Sequence, residues 1–424
     1  MTMLRAGAAT VDITPDWSIS MAGFGLRDHS SEGVAHPLHL RLVVLESESE
    51  TGETSRVAIA SADFLWWGAE YVDFFRTEIS LITGAPTGSI LLTASHTHSG
   101  PQTSSIPNGI GLFDQNFHDL LAAAVNQAAT EAVAKLEPVT ISRFAGNHDL
   151  AFNRRYRFNP NGPVDRELIV IRFDRLDGTP ASLLVHYTCH PTIYQGYQLS
   201  SEYCGVAMSA LEAELGATSL FLQGCCGDIN PDLNRDGVQV RGGTDVVERE
   251  GALFARSVSN LIESGGELLE PIPLQSIESI VDLPYSALPT IDELEAGKDE
   301  SGAIGEWRRG LLEHPERLSP SIPLHLQRLD LARDCSLLTM NGEICVEYGQ
   351  HVREISGGSV LPLGYANGMT GYVPTARIIE EGGYEAGESI PYFGLPAPFA
   401  PEVEPILKNA LSELIAEDTG EFTS

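Results

Sequence analysis

One stretch decides how the fold of this chain is interpreted, and it reads Leu91-Leu92-Thr93-Ala94-Ser95-His96-Thr97-His98-Ser99-Gly100-Pro101. The apolar run from Ile90 to Ala94 predicts a buried strand, which Gly100-Pro101 ends. Residues two apart in an extended chain face the same way, so we expect His96 and His98 to share a face. The carboxyl end of a strand is where α/β folds build their sites.

The His-x-His pair leaves two interpretations open. Neutral imidazole suits zinc, and a catalytic zinc typically has three protein ligands and a water. Two polar residues at a strand end can equally make ordinary hydrogen bonds, because a motif this short is not specific.

The composition is that of an acidic globular protein. The chain has 424 residues, 42% of them hydrophobic, and 26 Lys plus Arg against 58 Asp plus Glu give a formal charge of −32. That charge argues against nucleic acid or an anionic membrane as a partner. The first seven residues lack the apolar core of a signal peptide, and no apolar run is long enough to insert into a membrane. The six cysteines are sparse, which predicts free buried thiols. We therefore predict a cytoplasmic protein, with its oligomeric state left open.

Strands alternate with helices along the chain, which predicts one mixed α/β domain over residues 1–424. The predicted strands are 5–15, 38–46, 57–63, 90–94, 139–145, 167–172, 181–187, 219–223, 324–330 and 332–340. The predicted helices are 71–82, 116–136, 205–215, 244–265 and 403–415. Residues 285–325 are charged and punctuated by proline, with one helical piece around 304–313, and we interpret them as an insertion or a lid.

The order of the polar motifs resembles the neutral (alkaline, non-lysosomal) ceramidase superfamily. The matching pieces run from about residue 5 to about residue 390 and are Ser95–Pro101, Asn153-Arg154, His190-Pro191-Thr192, Gly227–Pro231, Gly342-Glu343, Gly371-Tyr372 and Gly383-Tyr384-Glu385. The resemblance implies a large α/β domain with a mixed sheet and flanking helices around one zinc ion, and cleavage of an amide bond. Ceramidases also carry a C-terminal β-sandwich, which we do not expect here.

The resemblance also implies roles for individual residues. The implied zinc ligands are His96, His190, Glu343 and Tyr372, with Glu347 as the alternative carboxylate. The implied catalytic residues are His98, Arg154, Tyr384 and Asp228, of which Asp228 is expected to orient a ligand or brace its loop. The implied substrate contacts are Gly23, Arg154 and Asn230.

Asn230 stands where the ceramidases carry a serine, so a serine nucleophile at that position is excluded. A zinc-activated water as the nucleophile is unaffected by this difference. The sequence therefore predicts a zinc-dependent hydrolase that cleaves an amide bond in a small soluble substrate. Alternatives are an esterase, or a zinc- or ligand-binding protein of the same fold without activity. An amidohydrolase barrel fits less well, because it needs its His-x-His pair on the first strand.

Overall fold

A large mixed sheet forms the centre of the molecule in the computed structural model, which describes residues 2–25, 27–105, 109–235, 238–239 and 241–417. Its main strands are β1 (Met3–Asp12), β2 (His39–Glu48), β3 (Thr54–Ala62), β4 (Ile90–Ala94), β5 (Glu137–Asn147), β6 (Glu167–Arg175), β7 (Pro180–Tyr187) and β8 (Thr218–Gln223). They lie in the order β8, β7, β6, β5, β1, β2, β3, β4, and Glu267–Leu268 pairs with β5. The pairs at the two ends, β7 with β8 and β3 with β4, are parallel, and the others are antiparallel.

The two ends of this sheet approach each other. The Ser61 hydroxyl of β3 donates to the carbonyl oxygen of Phe221 in β8 at 2.6 Å. The Gln223 side chain, at the end of β8, donates to the carbonyl oxygen of Ser95, just beyond β4, at 3.1 Å. The carboxyl ends of β4, β7 and β8 are thereby brought to one place.

A second sheet packs on one face of the first. Its strands, in spatial order, are β9 (Gln275–Pro284), β10 (Ser321–Ala332), β11 (Cys335–Met340) and β12 (Val360–Leu363). The alternation along β2 shows the layering, because Val43 and Leu45 pack with residues of the second sheet while Leu42 and Val44 pack with helices.

Helices cover the outer faces of both sheets. They are α1 (Val72–Thr83), α2 (Gln115–Ala134), α3 (Glu202–Leu215), α4 (Thr244–Glu263), α5 (Ile291–Gly297), α6 (Ala303–Glu313), α7 (Val346–Ser356), α8 (Ala376–Glu381), α9 (Ile390–Phe393) and α10 (Val403–Ala416). Helices α1 to α4 pack on the large sheet, and α7 and α10 pack on the small one. The order helix, sheet, sheet, helix confirms the predicted α/β class with a large mixed sheet and flanking helices.

Local sequence sets the bounds of these helices. The carboxylate of Asp114 caps α2 by accepting from the Phe117 amide at 3.0 Å. Helix α1 ends where Gly84 adopts a left-handed φ of 72°, which glycine takes without steric cost.

Short strands and turns join the loops around the site. The short pairs are Gly33–Val34 with Gln198–Leu199, Ala151–Asn153 with Ile229–Pro231, Asn234–Arg235 with Val238–Gln239, and Glu343–Ile344 with Tyr372–Val373. Single turns are Ala69–Tyr71, Thr87–Ser89 and Pro315–Arg317 (3₁₀) and Tyr384–Glu388 (π).

The segment predicted to be an insertion or a lid contains two helices, α5 and α6, where the sequence predicted one. The Trp307 indole of α6 donates to the carbonyl oxygen of Leu395 at 2.7 Å, which ties the segment to the chain after α9. Its function as a lid stays a prediction. Among the described residues, no helix has the length and apolar character needed to cross a bilayer.

Candidate functional site

Three histidines converge beyond the ends of β4 and β7. Nε2 of His98 lies 3.2 Å from Nε2 of His96, and ring nitrogens of His96, His98 and His190 all lie within 4.8 Å of one another. His96 and His190 are fully buried. The sequence predicted that His96 and His98 meet, but its reason was wrong. Strand β4 ends at Ala94, and His96 has a left-handed φ of 66°, so the chain is not extended there.

Backbone carbonyls orient two of these rings. Nδ1 of His96 lies 2.8 Å from the carbonyl oxygen of Leu65, and Nδ1 of His190 lies 2.6 Å from that of Cys226. A carbonyl oxygen only accepts, so each Nδ1 carries the hydrogen and each neutral ring keeps a lone pair on Nε2. Burial lowers the pKa of His190 to about 4, which keeps that ring neutral.

Glu343 faces these two lone pairs. Its Oε2 lies 3.2 Å from Nε2 of His190 and 3.5 Å from Nε2 of His96. A carboxylate and two imidazole lone pairs at these distances repel one another unless a cation or a proton lies between them. The group therefore fits a cation by the chemistry of its donors.

The alternative carboxylate, Glu347, is turned elsewhere. It accepts from the Thr375 hydroxyl at 2.9 Å and from the Arg377 guanidinium at 3.0 Å. Of the two glutamates, only Glu343 contacts the histidines.

Two tyrosines adjoin Glu343, and sequence reasoning singled out only one. Tyr372 is paired with Glu343 between two short strands, and the two side chains interact electrostatically. Tyr365 was missed, although it belongs to the same glycine-rich, aromatic segment. Its hydroxyl lies 3.5 Å from Oε2 of Glu343, and its ring centroid lies 4.1 Å from that of His96.

A cavity of about 390 Å³ opens on this group. Predicted site residues in its wall are Gly23, His98, Arg154, Asn230, Tyr372 and Tyr384. His98 and Tyr372 contact both the buried group and the cavity, whereas His96, His190 and Glu343 lie behind the wall.

Gly23 lies against His98. It has a φ of 99°, and a Cβ placed on it would lie 2.6 Å from Cβ of His98. Only glycine allows the backbone to pass this close to the ring.

Arg154 is held in the wall by a carboxylate that sequence reasoning assigned no role. Its Nε donates to Oε1 of Glu385 at 2.7 Å, and its Nη1 donates to Oδ1 of Asn230 at 3.4 Å. The guanidinium carbon also lies 5.3 Å from the ring centroid of Tyr372 and 5.6 Å from that of Tyr384. Glu385 was quoted within the last matching motif, which was its only signal.

Asp228 is buried among backbone and amide groups. Its Oδ1 accepts from the Val346 amide at 2.8 Å and its Oδ2 accepts from the Asn153 side chain at 2.9 Å. Its own carbonyl accepts from the Arg154 amide at 2.9 Å. Burial raises the pKa of Asp228 to about 6. These contacts join the loop that orients His190 to the loop that carries Arg154.

The comparison with solved structures identifies the fold. A scan against protein-family models gave no match, and a search of curated proteins gave none. Among solved structures, a neutral ceramidase from Pseudomonas aeruginosa matches 98% of this chain and 74% of its own, with a TM-score of 0.76 and 18% identity. A ceramidase solved in complex with C2 matches 98% and 75%, with a TM-score of 0.77 and 17% identity. At sequence identities this low, the structural match shows the fold alone, and it confirms the resemblance at the level of the fold. This chain has the fold of the neutral ceramidases.

Proposed function

We propose that this protein is a zinc-dependent hydrolase that cleaves an amide bond in a small soluble substrate. The observation that carries the proposal is the convergence of Nε2 of His96 and Nε2 of His190 on the Glu343 carboxylate. Two oriented imidazoles and a carboxylate are a common donor set of catalytic zinc sites.

The residues that would hold zinc are His96, His190, Glu343 and Tyr372. His98 is close enough to be a ligand, but two observations favour the substrate side for it. Its Nδ1 is buried without a hydrogen-bond partner among the described residues, so no carbonyl fixes its ring as in the other two histidines. Its ring also forms part of the cavity wall. When bound in such a site, zinc polarises a carbonyl group and lowers the pKa of a water to about 7.

The cavity wall supplies the remaining chemistry. Burial lowers the pKa of His98 well below its ordinary value, with His96 and His190 adding to the effect, so the ring is neutral. A neutral His98 accepts a proton at one ring nitrogen and passes it to the leaving amine. The Tyr384 hydroxyl is a donor for the carbonyl oxygen as negative charge develops there.

Arg154 and Asn230 hold a polar group of the substrate, and Gly23 lets the backbone lie close to it. Asp228 acts as a positioning residue through the loops that it joins. The polar cavity wall supports a soluble substrate. The six cysteines, all within the described residues, are free thiols, which supports a cytoplasmic location.

The proposal is tested by the zinc content and turnover of wild type, His96→Ala, His190→Ala and Glu343→Ala. The control is Glu347→Ala, which removes the nearby glutamate that binds Thr375 and Arg377. We expect the three variants to lose zinc and activity and the control to retain both. Full zinc occupancy in all three would refute the ligand set.

The substrate panel contains N-acyl amino acids, N-acyl sugars, short ceramides and esters. Amide turnover supports the proposal. Turnover of esters alone indicates an esterase, and bound zinc without any turnover indicates a binding protein.

A further inference from the structure

A second arginine, Arg241, lies in the wall of the same cavity. One of its guanidinium nitrogens donates to the carbonyl oxygen of Thr192. Its guanidinium carbon lies 5.2 Å from the ring centroid of Phe24. No carboxylate in the described part of the chain forms an ion pair with it. Arg241 as a whole residue is exposed.

The neighbouring arginines have their charge paired with carboxylates of the protein. Arg154 pairs with Glu385, and Arg155 pairs with both Glu385 and Glu381. Among the described residues, Arg241 thus differs from both in having no carboxylate ion pair, in the cavity of a chain whose net charge is −32.

Arg27, which contacts the same aromatic ring as Arg241, has a structural role and serves as a comparison. It lies on the same Phe24 ring, 4.9 Å from the centroid. Its guanidinium donates to the carbonyl oxygens of Ala22, His98 and Gly196 and to the Ser99 hydroxyl. Arg27 thus has its hydrogen-bonding capacity filled, whereas Arg241 has a single acceptor within the part of the chain that the structure describes.

Arg241 is also near the reacting centre. The Phe24 ring that it covers lies with its centroid 4.9 Å from that of His98. Phe24 therefore contacts both Arg241 and His98.

We propose that Arg241 binds a carboxylate of the substrate, so that the site selects amides that carry an anionic group near the bond to be cleaved. A guanidinium with free N–H groups presents a planar pair of donors that matches a carboxylate. That such amides are hydrolysed rests on the proposed function, whereas the binding of a carboxylate to Arg241 does not.

The kinetic test compares N-hexanoylglycine with its neutral counterpart N-hexanoylglycinamide. The variants are Arg241→Gln and Arg241→Lys, and the control is Arg249→Gln, an arginine on α4 that is 60% exposed and paired with Glu250. We expect Arg241→Gln to raise KM for N-hexanoylglycine by about 10- to 100-fold with a smaller effect on kcat, since a charged hydrogen bond is lost. KM for the amide should not change, Arg241→Lys should restore part of the selectivity, and Arg249→Gln should resemble wild type.

A binding test separates this proposal from the proposed function. The full chain, stripped of metal by a chelator so that no carboxylate can bind zinc, is titrated with both ligands by calorimetry. Tighter binding of N-hexanoylglycine that is lost in Arg241→Gln supports the Arg241 site, even if no amide is hydrolysed. Equal or absent binding of the two ligands overturns it. Hydrolysis of both ligands without selectivity also overturns it and leaves the proposed function intact.

Discussion

Nε2 of His190 lies 3.2 Å from Oε2 of Glu343, although the two residues are 153 positions apart in the chain. The backbone of each residue is held by a hydrogen bond to another segment. The His190 amide donates to the carbonyl oxygen of Ile229, and the Glu343 amide donates to that of Gly371. The contact therefore joins the loop after β7 of the large sheet to the short strand that follows β11 of the small sheet, and it depends on the packing of both sheets.

The Tyr365 hydroxyl supports Glu343 from behind. It lies 3.5 Å from Oε2 of Glu343 and accepts from the Cys226 thiol at 3.2 Å. We predict that Tyr365→Phe lowers zinc affinity by about 10- to 100-fold, because partners of metal ligands orient them. Competition with a chelator measures this affinity.

Tyr348→Phe is the control for Tyr365→Phe. Tyr348 is equally buried, but its hydroxyl donates to the carbonyl oxygen of Pro374 at 3.0 Å, away from the histidines. Both variants lose a hydrogen bond worth about 1 kcal/mol of stability. Zinc affinity that is the same in the two variants would remove Tyr365 from the site.

Gly23→Ala should lower kcat/KM without abolishing folding. The new Cβ would lie 2.6 Å from Cβ of His98, so the ring must move. A displacement of about 1 Å at a reacting group costs on the order of 100-fold in rate. The control is Gly178→Ala, with a φ of 85° and no atom within 4 Å of the new Cβ. It carries the same backbone strain of about 1 kcal/mol and should keep full activity. Comparable kinetics for the two variants would contradict the role of Gly23.

Glu385→Gln should cost both stability and activity. Burial alone would raise the pKa of Glu385, but Arg154 and Arg155 lower it, so the carboxylate is charged. Removing that charge leaves two guanidinium groups without the charge of their buried partner. We therefore expect the free energy of unfolding, measured with urea, to fall by about 3–5 kcal/mol. Glu381→Gln removes a carboxylate that is 20% exposed and pairs with Arg155 but not with Arg154, so we expect a loss of about 1 kcal/mol and normal kinetics. Equal kinetic defects would show that Glu385 does not act through Arg154.

The strand and helix pattern was predictable because most elements are strongly periodic. The strand 90–94 and the helix 403–415 were predicted to within a residue of the observed bounds. Strand β9 was missed because its side chains are mostly half-buried or exposed, which leaves little alternation for the sequence to reveal. Helix α7, which begins at Val346 directly after the short strand Glu343–Ile344, was also missed.

The site was less predictable, because its contacts arise only when both sheets have formed. Tyr365 carries no local signal apart from its glycine-rich segment. It has a left-handed φ of 57°, which a sequence pattern does not reveal. Glu343 and Glu347 could not be told apart by sequence, since only packing directs one to the histidines and the other to Arg377.

Glu202, the first residue of α3, should make stability fall as pH rises. Its side chain is fully buried, and its oxygens accept from the amides of Tyr194 at 2.6 Å and Tyr203 at 3.3 Å. Burial raises its pKa from the ordinary 4.5 to about 7. Between these two values the folded protein keeps a proton that the unfolded chain releases, so the free energy of unfolding decreases by about 3 kcal/mol across that window.

Glu202→Gln tests this assignment, because a glutamine does not ionise. Wild type and variant are compared by urea unfolding from about pH 4.5 to about pH 8. As pH rises, the free energy of unfolding of the variant should increase by about 3 kcal/mol relative to that of wild type. Glu214→Gln alters an exposed glutamate on the same helix that accepts from the Ser259 hydroxyl, and it should follow the wild-type profile. A difference between wild type and Glu202→Gln that is constant with pH would mean that Glu202 is already ionised in the folded protein. Its charge would then have to be balanced by Arg27 and Arg241, whose guanidinium groups interact electrostatically with it.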